Sequence, residues 1–382
     1  MNVTKDVVYA GVEDKEIELF ESQYEVPDGV TYNSYVIFDE KIAVMDTVDG
    51  RKTGEWMEKL RGILGAAKPD FLVISHVEPD HAGSVDAFLE AYPETEVVGN
   101  AKTFQFLSQF FPQWRERIRK VTVAEGEVLT LGKHSLQFFM APMVHWPEVM
   151  VSYDRTDRIL FSADGFGTFG TDCLPEDWAC EARRYYVNIV GKYGAMVQTL
   201  LKKAGALDIG IICPLHGPVL NQNLGYYLEK YDIWSSYRPE DKGVLVAYAS
   251  IHGHTAKAAR RAAELLAEKG EKVEIYDLAR DDMSEAVEGA FRYDRMLLAS
   301  ATYDGGLFPC MEDFLAHLKS KAYQKRTVAL MENGTWAPMA AKCMRQALEG
   351  MKEVTVLPDV VSIKSAPDEN TWEELAKLVG KL

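Results

Sequence analysis

The 382 residues predict two domains of different class: a mixed α+β part with sheets in the middle and helices outside, then a doubly wound, parallel α/β part. Three observations lead there. The first part mixes short β-branched runs, short amphipathic stretches and a hairpin turn. The second alternates strand and helix patterns regularly, as a parallel sheet requires. Between them lies a short polar stretch, Arg238-Pro239-Glu240-Asp241-Lys242, which follows an aromatic-rich segment and precedes a strand-like run. The boundary is placed there, giving domains 1–241 and 242–382.

In the first part, Thr31 to Phe38, Lys41 to Thr47, Phe71 to Ser75 and Arg158 to Ser162 read as strands. Gly54 to Leu64 and Val85 to Ala91 read as short amphipathic helices. Asp154-Arg155-Thr156-Asp157 reads as a hairpin turn. In the second part, strands are expected near 243–249, 272–276, 295–300 and 327–331, each followed by a helical pattern. A weaker strand falls near 354–357 and a last helix near 371–380, which makes a sheet of about five strands. There is no internal repeat and no low-complexity segment.

Composition narrows the class. Hydrophobic residues make up 47% and charged residues 26%, ordinary for a globular protein with a substantial core. Mean hydropathy is -0.17, and no apolar run approaches the roughly 18 residues of a membrane span. The N-terminus lacks a signal-peptide layout, and a cytoplasmic location is expected. Cys173, Cys180, Cys213, Cys310 and Cys343 are scattered, which argues against a disulfide framework or an iron–sulfur cluster and fits a reducing compartment. Net charge is -16, so a nucleic-acid partner is not expected. From Gly243 onward there are 18 basic and 21 acidic residues (-3), leaving 24 and 37 before it (-13). A solvated acidic surface explains this asymmetry; a docking face for a redox partner is the sharper alternative.

The chemistry concentrates in Ser75-His76-Val77-Glu78-Pro79-Asp80-His81-Ala82-Gly83-Ser84. His76, Glu78, Asp80 and His81 offer four metal ligands within six positions, directly after a strand. His145, Asp164 and His216 each sit at the end of a strand-like run with glycine or proline nearby, so all seven can converge on one rim. Imidazoles and carboxylates without a thiolate suit a pair of hard-to-borderline ions, iron better than zinc. Of the other histidines, His134 and His317 read as ordinary surface residues. Tyr193, Tyr185 and Tyr186 read as aromatic core, with a place behind the ligands as the alternative.

The run resembles the His-x-His-x-Asp-His loop of the metallo-β-lactamase superfamily, with Glu78 in place of its second histidine. An anion there favours iron in its higher oxidation states. Together with Met143-Val144-His145-Trp146-Pro147-Glu148, Ala163-Asp164-Gly165-Phe166-Gly167-Thr168-Phe169-Gly170 and Leu215-His216-Gly217-Pro218, the chain is similar over nearly its whole length to the flavodiiron proteins, or A-type flavoproteins. The resemblance implies an αββα metallo-β-lactamase-like sandwich followed by a flavodoxin-like domain. It further implies one iron at His76, Glu78 and His145, another at Asp80, His81 and His216, and Asp164 bridging them. His81 is the ligand that some members of the family hold away from the metal.

Three loops at strand ends shape the second part's expected site. Ser250, His252, Gly253, His254 and Thr255 open a helix where a doubly wound domain binds phosphate. They match neither the dinucleotide glycine fingerprint nor a Walker loop. Thr302, Tyr303, Asp304 and Gly305 follow the third strand, and Asn333, Gly334, Thr335 and Trp336 the fourth. Together these loops resemble a flavodoxin-like FMN site, with Tyr303 and Trp336 placed to pack on the ring and His252 and His254 departing from the commoner Asn or Ser.

The expectation is an oxidoreductase that passes electrons from a separate donor such as rubredoxin through FMN to two irons. Those irons reduce dioxygen to water, nitric oxide to nitrous oxide, or both. No Cys-x-x-Cys module is fused here. The resemblance implies a head-to-tail homodimer or a tetramer. Two other readings stay open: a metallo-β-lactamase-type hydrolase, and a non-enzymatic electron carrier or redox sensor.

Overall fold

The computed structural model describes residues 1–171 and 178–382, so Cys173 lies outside the described residues. The chain forms two compact units, Met1–Asp232 and Ile233–Leu382. The sequence places the boundary at 241. The division observed falls within the helix Leu224–Ser235, whose aromatic residues hide a junction from composition.

The first unit holds two sheets. One runs in the order Val7–Tyr9, Tyr35–Ile37, Ala43–Met45, Phe71–Val73, Glu96–Gly99, Arg119–Thr122. The first two pairings are antiparallel and the rest parallel. The other runs Val128–Thr130, Ser135–Met140, Met150–Asp154, Ile159–Phe161, Ile211–Cys213. The expected turn at 154–157 closes the antiparallel hairpin of its third and fourth strands.

Side chains alternate across each strand, and this sorts the core. Tyr35, Ile37, Met45, Phe71 and Val73 meet Leu136, Phe138, Met150, Ile159 and Phe161 between the sheets. The intervening Val36, Val44 and Leu72 point the other way, onto Trp56, Leu60, Phe88 and Phe104 of the outer helices. Those helices are Thr53–Leu64, Val85–Ala91 and Ala101–Phe110. Both helices expected from sequence are thus present.

Two expectations need correction. The run Thr31 to Phe38 is not one strand. Val30–Tyr32 pairs with Val12–Asp14, Tyr35–Ile37 joins the large sheet, and Asn33 breaks the chain between them. The Asn33 amide donates to the carbonyls of Pro214 and Gly217 at 2.8 Å each, so this residue anchors a distant loop instead of a ladder. His134 is not a surface residue either: it is fully buried, with Nδ1 2.9 Å from Asp154 Oδ2. Gly132 and Lys133, just before it, made a buried turn look solvent-facing. His317 is half-buried.

The second unit is a parallel sheet in the order Val273–Asp277, Asp241–Ala249, Tyr293–Tyr303, Thr327–Asn333, Thr355–Ile363, or 2-1-3-4-5 along the chain. A short strand, Gly306–Leu307, pairs antiparallel with the end of the third. The fifth strand is longer than its sequence signal. Pro358 and Asp359 interrupt the apolar pattern, and the pairing register shifts between Val328 and Leu330. An edge position tolerates this proline.

Candidate metal centre

His76, Asp164 and His216 each come shortly after a strand, and His145 lies in the loop between Ser135–Met140 and Met150–Asp154. Phe71–Val73 leads into His76, and Pro79 opens a one-turn helix, Pro79–Ala82, that carries Asp80 and His81. Proline suits a first helical position because its missing N–H has no partner there. Ile159–Phe161 and Ile211–Cys213 are parallel neighbours, so the turns after them deliver Asp164 and His216 side by side. Leu215 N donates to the Ala163 carbonyl and ties those turns together. Gly217 has φ +79°, and a Cβ there would lie 2.1 Å from Thr168 Cγ2, so this turn needs glycine.

All seven residues meet. His145 Nε2 lies 2.9 Å from Glu78 Oε2 and 3.1 Å from Asp164 Oδ2. His76 Nε2 lies 3.1 Å from Glu78 Oε2 and 3.3 Å from Asp164 Oδ2. On the other side, His81 Nε2 is 3.1 Å from Asp164 Oδ1 and 3.3 Å from Asp80 Oδ2. His216 Nε2 is 3.3 Å from that same Asp80 oxygen. Asp164 therefore turns one carboxylate oxygen to each group. Nitrogen and oxygen donors about 2.1 Å from one ion and at right angles sit roughly 3 Å apart, which matches this spacing.

Other observations favour cations here. Asp80 Oδ1, both Asp164 oxygens, both His81 nitrogens and His216 Nε2 are buried and make no hydrogen bond among the described residues. Buried polar atoms are almost always satisfied, so such a set points at a ligand. The ligand shell is also oriented from behind: His76 Nδ1 is 2.7 Å from Glu148 Oε1, and His216 Nδ1 donates to the Thr31 carbonyl at 2.7 Å. Each leaves Nε2 facing the centre.

The electrostatics agree. Burial alone would lower the His145 pKa, but Asp164 and Glu78 reverse this and push it up to about 9. His76 and His81 also lie above their ordinary value: burial opposes this, and the neighbouring carboxylates, Asp164 and Asp80 foremost, outweigh it. Burial would raise Asp164, yet the surrounding imidazoles hold it well below the carboxylate range. Glu148 is likewise lowered by His76 against the effect of burial. Protons on the histidines supply the positive charge that this array of carboxylates demands.

Tyr185, expected in the core, is buried with its ring 5.4 Å from that of His216. Tyr186 packs on Tyr231, also as core. Two residues escaped sequence reading. Asp46 accepts from the Ser75 and His76 amides at 2.6 and 3.4 Å, and burial pushes its pKa up to about 6. Glu21 joins Tyr32, Arg51, Glu78 and Asp80 around a hollow of about 380 Å³ opening on the centre. Neither stands in a motif; only the fold brings them close.

In the second unit, a cleft of about 550 Å³ lies beyond the strand ends. His252, His254, Thr255, Thr302, Tyr303, Asp304, Gly305, Asn333, Gly334, Thr335 and Trp336 line it, within the volume range of small-molecule sites. Trp336 is 81% exposed and Tyr303 45%, which leaves two aromatic faces free to stack on a planar ring. Two expected residues stand back from it. Ser250 and Gly253 line an adjacent hollow, where the Ser250 hydroxyl accepts from Gly253 N at 3.2 Å and shapes the loop. Thr302 Oγ1 accepts from Met339 and Ala340 N–H, so it caps the helix Ala340–Leu348 as well as facing the cleft. Ser365, unforeseen, joins the wall and contacts Thr335 Oγ1 at 2.9 Å. It follows the part of the fifth strand that the sequence did not show.

Comparison with known proteins agrees with this architecture. A family model described as the ODP family beta lactamase matches residues 30–217, and one described as a flavodoxin domain matches 245–362. A rubredoxin-oxygen oxidoreductase of Megalodesulfovibrio gigas is 29% identical, over 91% of this chain and 89% of that protein. An anaerobic nitric oxide reductase flavorubredoxin of Vibrio vulnificus is 26% identical, over 88% of this chain and 70% of its own length. The solved structure of rubredoxin oxygen:oxidoreductase from Desulfovibrio gigas superposes with a TM-score of 0.93 at 25% identity, covering all of this chain and 96% of that one. A β-lactamase-like unit with a two-ion site, joined to a flavodoxin-like unit, defines a metalloflavoprotein class of oxidoreductase. Within that class the chain belongs to the flavodiiron proteins. Its cofactors are FMN and a pair of irons.

Proposed function

We propose that this flavodiiron protein takes electrons from a separate rubredoxin-type donor and reduces dioxygen to water, nitric oxide to nitrous oxide, or both. The relatives named for rubredoxin–oxygen and nitric oxide reductase activity support both substrates and the donor. One observation carries the reading above all. Asp164 turns Oδ2 to His76 and His145 and Oδ1 to His81, the arrangement of a carboxylate shared by two ions. When bound, FMN accepts electrons one or two at a time, and the irons supply the redox chemistry on the small gas molecule.

The protein's own part is positional. His76, Glu78 and His145 would hold one ion, and Asp80, His81 and His216 the other. Phe20 and Tyr32, each packed near His216, keep its ring in place. The hollow beside Glu78 and Asp80 gives a small molecule a way in, which a closed carrier or sensor site would not need. In the second unit, Thr255 and the loop at His252–His254 would take the phosphate, while Tyr303 and Trp336 flank the ring. No helix among the described residues is long and apolar enough to cross a membrane. A head-to-tail homodimer or a tetramer in the cytoplasm completes the proposal.

The test is anaerobic. Purified protein of known iron and FMN content is reduced chemically, and dioxygen and nitric oxide consumption are followed in parallel. Rapid consumption of either gas per iron pair supports the reductase and names its substrate. Flavin that cycles while both gases persist refutes it.

A further inference from the structure

The two halves of the centre have matched donors: two imidazoles, one carboxylate of their own, and one oxygen of Asp164 each. What lies behind them is not matched. His216 Nδ1 donates to the neutral carbonyl of Thr31, whereas His76 Nδ1 meets a carboxylate, Glu148 Oε1, at the same 2.7 Å. Glu148 and His76 are both fully buried. Glu148 Oε1 also accepts from Val77 N at 3.0 Å, and the Asn100 amide holds the Glu148 carbonyl at 2.6 Å. Glu148 Oε2 has no hydrogen-bond partner among the described residues. Its charge is therefore compensated mainly at His76.

A carboxylate behind an imidazole does more than a carbonyl. Both fix the tautomer and aim Nε2 at the ion. The carboxylate also draws the Nδ1 proton towards itself and makes Nε2 a stronger, more anionic donor. In a dry site that charge is poorly screened. Resting on the diiron reading above, we infer that Glu148 is a positioning residue that makes the two irons unequal. The ion at His76, Glu78 and His145 is the tighter bound and the more readily oxidised.

Glu148→Gln separates charge from hydrogen bonding, because the glutamine carbonyl still accepts from His76 Nδ1. In anaerobic ferrous titrations of the FMN-loaded chain, this variant is expected to bind one iron 10–100-fold more weakly and the other as before. In redox titrations, one iron couple moves to higher potential while the flavin couples stay put. Glu148→Asp, which keeps the charge, restores much of both. A Gln variant with wild-type iron affinities and potentials refutes the inference and leaves only a structural role; equal weakening of both irons refutes it too. A measurement on the unaltered protein guards against a variant that does not fold. One equivalent of iron-57 added to the metal-free, FMN-loaded chain should enter a single Mössbauer doublet, and equal division between two doublets overturns the inference. Failure of the wild-type chain to take up an iron pair at all would instead sink the diiron reading itself.

Discussion

Iron uptake by this chain should be strongly linked to pH, with His145 as the clearest case. Its Nε2 is the atom turned towards Glu78 at 2.9 Å and Asp164 at 3.1 Å, and it is the atom an ion would use. Without metal those carboxylates retain a proton there and push the pKa up to about 9. Proton and ion compete for one lone pair. At pH 7, two units below that value, about one molecule in a hundred has the pair free, which weakens iron binding by about 100-fold, or about 2.7 kcal/mol. Affinity should rise at least tenfold per pH unit from 7 to 8, since His76 and His81 are shifted in the same direction, and the His145 share of that rise should end above about 9. Stability of the metal-free chain carries the opposite slope. The folded pKa exceeds the ordinary 6.5, so this stabilisation is complete below 6.5 and fades as pH rises through 9. Ferrous titration against a competing chelator, with released protons counted in weak buffer, measures both quantities. A flat affinity from pH 6.5 to 8.5, or no proton release, would refute the reasoning.

Three further outcomes follow from single contacts. Asp164→Asn should lower iron content below two per chain while FMN stays bound; metal analysis beside the flavin spectrum decides, and a variant with two irons and full turnover would rule out the bridge. Asp46→Ala strands the buried Ser75 and His76 amides and should lower metal-free stability by about 2–3 kcal/mol in urea unfolding. Asp46→Asn keeps an acceptor and should stay near wild type, losing only the stabilisation that the raised carboxyl gives in acid and gives up as pH rises through 6. Trp336→Ala should weaken FMN by roughly 3–10-fold, the worth of one aromatic contact, and leave the melting temperature unchanged because the side chain is mostly exposed. Fluorescence titration of the flavin reads this directly.

Much of this protein is written in local pattern. His76, Glu78, Asp80 and His81 fall within one turn of chain, so their joint chemistry needs no fold to be seen. Strand and helix alternation after residue 243 implies its parallel sheet, because period and order are one-dimensional properties. Other features depend on what the fold brings together. Asn33 looks like part of a strand until the Pro214 and Gly217 carbonyls, far along the chain, claim its amide. His134 looks exposed until Asp154 from a neighbouring strand meets it. The fifth strand of the second unit is weak as text and firm as structure, since its neighbour's ladder supplies what Pro358 takes away. Asp46, Glu148 and Glu21 lie outside the ligand set the motifs supply, and packing brings each beside it. The sequence by itself determined the fold classes and picked out the candidate donors. The tertiary structure alone decided how Asp164 divides its oxygens and which group stands behind each imidazole, because hydrogen bonds act over about 3 Å of space and are indifferent to separation along the chain.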